Sequence, residues 1–257
     1  MRKSSRWFLL FAVMFSATFS AWLSAQPPLQ LRAIVSESNT PPYAIFAADG
    51  SLQAGISKDI IDELARQLGA GVSYLNLPRT RVEPWLRDGK AELACFLNPD
   101  WVNEPEKLSW TGALFSTQQL MIRRHDSEPV TAIQYLAGKR VGTTWGFTYP
   151  ELEQVFRLGD VIRDDAHSLE SNLMRLKQGR LDVVMTVDLS YHFYVKTSGD
   201  TSFAADALWS APPSVYCALS NYDKALSARL KQQFAQLVEN GFIGRQLNFY
   251  MGRPATP

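Results

Sequence analysis

Apolar positions along this chain switch repeatedly between a run of strand length and a helical spacing. LRAIVSE (Leu31 to Glu37) is a short apolar run and predicts a buried strand. SNTPPY follows as a loop stiffened by Pro41 and Pro42, with a turn at Ala48 to Gly50. In ISKDIIDELARQLG, the residues Ile56, Ile60, Ile61, Leu64 and Leu68 share one helical face. Ser57 is placed to cap that helix and Gly69 to end it. VSYLNLP is a second strand. After it, PRTRVEPWLRDGKAELACF reads as an arginine-bearing loop, a short helix stopping at Gly89 and a third apolar strand from Ala91 to Leu97. Thr80 and Glu83 have the spacing of a capping box, in which each side chain satisfies a backbone N–H at the helix start.

The same unit then recurs. LRDGKAELA (Leu86 to Ala94) is matched by LKQGRLDVV (Leu176 to Val184): leucine, two polar residues, glycine, a basic residue, then apolar, acidic, apolar, apolar. Any helix–glycine–strand turn has some of this character, but the matching order favours two similar α/β lobes. Between the copies, ALFSTQQLMIRR is extended without helical period, and SAPPSVYCALS is a second such stretch. Two extended crossings and no low-complexity linker predict lobes that share a hinge. Thr131 is expected to open a short helix to Gly138, Thr148 to precede another helix, and Leu226, Leu230, Phe234 and Leu237 to line a terminal one.

The N-terminus changes the picture of where the chain resides. Arg2, Lys3 and Arg6 precede an apolar run from Trp7 to Leu23 and a small residue at Ala25, the layout of a secretory signal peptide over residues 1–25; an uncleaved anchor is the alternative. No later segment is apolar enough to span a membrane. Removing those three basic residues leaves 23 against 25 acidic ones, a net charge of −2 without basic clusters, which argues against nucleic acid. The expected product is a soluble exported monomer, the mature form not inserted in a membrane. Cys95 and Cys217 either pair in an oxidising compartment or stay as small buried hydrophobes, and the strand patterns around them leave this open. His125, His167 and His192 lack metal-ligand spacing, and no nucleophile elbow, phosphate loop or dinucleotide fingerprint occurs, so no cofactor, metal or catalytic residue is expected.

The ordered set PPYAIFAADGSLQAGISKDIIDELARQLG, LRDGKAEL, WTGALF, LAGKRVGTTWGFTYPELE, LKQGRLDVV and the closing helix resembles the bacterial family 3 extracellular solute-binding proteins, the periplasmic amino-acid-binding type that serves ABC transporters. The resemblance covers nearly all of the chain after residue 25. It implies a type II periplasmic-binding-protein fold: α/β, with one lobe from residues 26–116 and 213–257, another from 117–212, and a small-molecule solute held between them for delivery to a transporter permease. The family's ligand residues transfer less well. Leu97, Pro99 and Glu104 fall where α-amino-acid binders usually have glycine, threonine and a carboxylate-clamping arginine. Ser57 replaces an acidic residue at the first long helix, and the carboxylate expected after the second-lobe strand falls on Val187, with Asp188 next to it.

Other residues take the ligand-binding role on this reading. Arg79, where the family usually has an aromatic wall, and Arg81 are candidates for a substitute carboxylate clamp. Tyr43, Trp101, Trp110, Trp145 and Phe147 supply aromatic surface at loops or strand ends, as does Tyr149. Thr148 and the N–H groups around 146–149 offer an anion site at a helix start, and Asp188 is the remaining candidate. The leading expectation is a non-enzymatic binding protein for a polar or organic-acid-like solute. Two alternatives stand beside it: a dehydratase-like enzyme on prephenate-like acids, hinted at by Glu104, and a sensor or accessory lobe for a membrane partner.

Overall fold

The computed structural model describes residues 28–252, so the expected signal peptide lies outside the described residues. The first sheet begins with β1 (Gln30–Ser36), which runs parallel to β4 (Gly71–Leu77) on one side and to β5 (Leu93–Leu97) on the other. Between β1 and β4 lie a hairpin, β2 (Ile45–Phe46) with β3 (Leu52–Ala54), and the helix α1 (Ile56–Leu68). A short helix α2 (Val82–Arg87) leads into β5. The small strands β6 (Ser109–Trp110) and β7 (Phe115–Ser116) complete the first pass.

The chain then enters a second sheet through β8 (Gln119–Arg124) and β9 (Arg140–Thr144). It continues through α3 (Glu153–Leu158), β10 (Ile162–Ala166), α4 (Leu169–Lys177), β11 (Val183–Val187), α5 (Asp188–Ser198) and β12 (Phe203–Ala207). It returns to the first sheet as β13 (Ser214–Leu219) and closes with α6 (Lys224–Glu239) and α7 (Phe242–Met251). The strand orders are β4-β1-β5-β13-β6 and β10-β9-β11-β8-β12. The first four positions correspond: three parallel strands and then an antiparallel one, in both sheets. This is a two-lobed α/β fold, and the sequence repeat marks the third position of each sheet.

The repeat has a physical cause. Gly89 and Gly179 both sit at positive φ (65° and 70°) after α2 and α4, where a side chain is disfavoured. The acidic residue of each copy then clamps the neighbouring strand. Glu92 Oε2 accepts the backbone N–H of Arg32 at 2.5 Å, and Asp182 Oδ2 accepts that of Arg140 at 2.8 Å. One polar device therefore sets strand entry in both lobes.

Two expected caps are not made. Gly55, not Ser57, is the N-cap of α1, and Ser57 lies buried within the helix. An absent side-chain cap costs about 1 kcal/mol. Burial of Ile56, Ile60, Ile61 and Leu64, each fully inaccessible, outweighs it at roughly 1.5–3 kcal/mol per side chain. Thr80 and Glu83 form no capping box either: Arg79–Arg81 is a 3-10 turn, α2 starts at Val82, and Glu83 turns to Arg79. The helix expected from Thr131 is only a 3-10 turn, Ile133–Leu136. Among the described residues no helix is long and apolar enough to cross a membrane.

Cys95 and Cys217 form a disulfide between directly opposed positions of β5 and β13. Next to it the register slips: Tyr216 faces Leu97, so Phe96 is an extra residue in β5, a β-bulge, with φ at 64°.

Candidate functional site

A cleft of about 100 Å³ opens between the lobes at the carboxyl ends of β1, β4, β5, β9 and β11, where open α/β sheets hold ligands. From the first lobe it is lined by Ser38 to Thr40, Tyr43, Arg79, Phe96, Leu97 and Trp101. The second sheet and its crossing supply Thr117, Gln119, Thr144, Phe147 to Tyr149, Met185 to Val187 and Ser190. Aromatic rings and hydroxyls dominate, and Arg79 is the single charged residue among these.

Arg79 is buried, and its side chain is only 9% exposed. The 3-10 turn after β4 turns it inward, and Nη1 lies 2.6 Å from Oε1 of Glu83, itself buried one helical turn on. Across the cleft its Cβ abuts Gly146, where an added methyl would come within 3.1 Å, so the lobes touch here. Gly146 has φ 77°. Phe96 is aimed by its bulge against the ring of Tyr43 at 4.9 Å and that of Phe115 at 5.9 Å.

A polar chain ties both lobes beneath the cleft. The Tyr43 hydroxyl lies 3.5 Å from Thr117 Oγ1, which donates to Asp188 Oδ1 at 2.9 Å. Asp188 Oδ1 also accepts the N–H of Leu189 at 2.8 Å, at the start of α5. Burial pushes the Tyr43 phenol well above its ordinary range; the Thr117 hydrogen bond opposes this and the Asp188 charge adds to it. Thr40 Oγ1 and Ser190 Oγ, 2.8 Å apart, make a second bridge between loop and helix.

The loop after β9 is held from behind. Thr144 N–H donates to the Tyr149 hydroxyl at 2.9 Å, and Arg163 donates to the Phe147 carbonyl at 2.8 Å. Burial raises the Tyr149 phenol as well.

Of the candidates from sequence, Tyr43, Arg79, Trp101, Phe147 and Thr148 line the cleft. Arg81, Trp110, Trp145 and Asp188 do not. Arg81 is exposed and caps α2, because the 3-10 turn that buries Arg79 rotates the residue two places on outward. The Trp110 indole N–H donates to the Pro105 carbonyl at 3.0 Å and packs edge-on to Tyr216. Trp145 is 54% exposed beside the His167 ring. Asp188 sits one layer behind the lining. The N–H groups around 146–149 do not open a helix, contrary to the expectation for an anion site there. α3 begins only at Glu153, and the N–H groups of Phe147 and Tyr149 already donate to the Thr144 carbonyl and Glu153. Glu104 is exposed, held by Arg87 and Lys107, and the Lys107 hydrogen bond lowers its pKa.

Sequence reasoning missed Phe96, Gln119, Ser190 and the end of β11. The strand-end rule applied to LDVVMTV finds Met185 to Val187. Nothing local marks Phe96, whose orientation comes from the register slip.

No protein-family model and no curated protein sequence matches the chain. Solved structures do match. An ancestral arginine-binding protein bound to arginine aligns at TM-score 0.73 and 19% identity, covering 86% of this chain and 97% of that one. A structure described for glutathione import in Gram-positive bacteria through GshT and a cystine ABC importer of Streptococcus mutans aligns at 0.75 and 18%, covering 90% and 98%. An ABC uptake transporter substrate-binding protein from Streptococcus pneumoniae with bound histidine aligns at 0.71 and 16%, covering 87% and 93%. At such identities the likeness is one of fold, and this chain has the fold of these binding proteins.

Proposed function

We propose that this protein is a periplasmic solute-binding protein, exported by a cleaved signal peptide, that closes its two lobes on a small polar or organic-acid-like solute and presents it to an ABC importer. Residues 26–116 and 213–257 make one lobe and 117–212 the other. The observation that carries this is the cleft between the lobes at the strand ends, closed around a single buried guanidinium. The fold shared with proteins described as substrate-binding proteins of amino acid ABC transporters supports it. Tyr43, Arg79, Trp101, Phe147 and Thr148 are the proposed ligand contacts. The carboxylate clamp of amino-acid binders is replaced rather than conserved in place: Leu97 lines the cleft, and Glu104 lies outside it.

A thermal-melt screen against amino acids, amine-free acids, polyamines and sugars tests the reading. A solute at a thousand times its Kd is expected to add about 4 kcal/mol, several degrees in Tm for a chain of this size. If no solute of any class moves the melt, the protein does not work by solute capture.

A further inference from the structure

We infer that the cleft selects a small carboxylic acid bearing a hydroxyl and no amino group, Arg79 receiving the carboxylate and Gln119 setting the preference for the hydroxyl. This rests on the solute-binding reading above and names the class of solute.

Charge comes first. Among the described residues Arg79 is the one charged side chain in the lining, and a guanidinium has five N–H donors in a planar fork. Among the described residues Glu83 is its one side-chain partner, through a single 2.6 Å contact on one nitrogen. A guanidinium buried to this degree with donors to spare calls for an acceptor on its cleft side. A ligand carboxylate supplies one in the matching bidentate geometry.

The same lining disfavours an ammonium. Among the described residues no carboxylate lines the cleft. Glu83 is engaged by Arg79, and Asp188 lies behind Thr117, taking that hydroxyl and the Leu189 N–H. An α-amino group closed into this space has no counter-charge to pair with, and a buried unpaired charge is strongly unfavourable.

Gln119 supplies the second requirement. It opens β8 opposite Val187, lines the cleft and is 5% exposed. Its backbone carbonyl already accepts from Leu208 N and Gln118 Nε2, but its side-chain Oε1 is buried with no partner. A buried acceptor without a donor is a cost that a ligand O–H removes. The remaining surface, with Phe96 locked against Tyr43, suits an apolar body. The cleft volume of about 100 Å³ matches a small acid.

Matched triads sharing one carbon skeleton test this on the purified protein by calorimetry: lactate, propionate and alanine, then mandelate, phenylacetate and phenylglycine. In at least one triad the hydroxy acid is expected to bind about 10-fold or more tighter than the deoxy acid. The amino acid is expected to bind at least about 100-fold more weakly than the hydroxy acid. Gln119→Leu, which keeps the side-chain volume, is expected to bring the hydroxy-to-deoxy ratio to about one. Arg79→Lys keeps the charge beside Glu83 but loses the fork, and is expected to weaken every acid about 10- to 100-fold. An amino acid binding as well as its hydroxy counterpart overturns the proposal, and so does a hydroxyl preference that survives Gln119→Leu. If no acid binds but a sugar or amine does, the proposal falls and the solute-binding reading stands. If no solute binds at all, both fall.

Discussion

Glu83 shows how much one residue's meaning depends on its surroundings. Three places after Thr80 it has the spacing of a cap, yet the 3-10 turn ahead of α2 removes the geometry a cap needs and leaves a buried guanidinium within 2.6 Å instead. Breaking a buried ion pair by removing one partner strands the other charge, at about 3–5 kcal/mol. Glu83→Ala is therefore expected to lower Tm by on the order of 6–15 °C for a chain this size, seen by scanning calorimetry. Glu104→Ala, in an ion pair open to solvent, is expected to leave the melt almost unchanged. Equality of the two would show that the Arg79 pair is not held as the structure has it. Phe96 makes the same point about local strain: its φ of 64° is tolerated because packing against Tyr43 and Phe115 holds it.

At the scale of elements, the repeat encodes how neighbouring strands are joined within each of the two sheets. A glycine at positive φ ends each helix, and an acidic side chain then catches the N–H of the adjacent strand. The first lobe adds a covalent link where β5 and β13 slip register, between cysteines 122 positions apart in sequence. A link closing so long a segment restricts the unfolded chain and stabilises by about 2–5 kcal/mol. The double variant Cys95→Ala with Cys217→Ala is expected to melt several degrees lower than the oxidised protein, whereas a reductant added to that variant should change nothing further. A Tm equal to the wild type's would mean that the link contributes no stability. The terminal helix α7 was not legible. Its short pattern, interrupted by Gly244, carries weak helical period, and packing against α1, α5 and α6 holds it in place.

For the whole molecule, the lobes meet across the cleft at Gly146, whose Cα faces the Arg79 side chain with no room for a larger residue. A valine there is both strained at φ 77° and pressed into the opposite lobe. Gly146→Val is expected to hold the lobes apart, giving a larger radius of gyration by small-angle scattering than the wild type and weaker solute binding. An unchanged radius would show that this contact does not set the spacing of the lobes. The polar bridges Thr40–Ser190 and Tyr43–Thr117–Asp188 add further links between loop, crossing and helix.

What the sequence determined by itself is the two-lobed α/β plan. Apolar spacing, helix-ending glycines and the recurring order of residue types are local features, and local geometry reads them directly, whereas the strand that each acidic residue clamps lies 60 or 42 residues away. It also placed Tyr43, Arg79, Trp101, Phe147 and Thr148 near strand ends, all of which line the cleft. Only the tertiary structure decided between Arg79 and Arg81, set Trp110 and Trp145 outside, joined Cys95 to Cys217, and brought Phe96 and Gln119 into the lining. Those outcomes depend on a 3-10 turn, a one-residue register slip and the apposition of two sheets far apart in sequence. A side chain's facing is fixed by such long-range contacts, and residue type and spacing do not carry them.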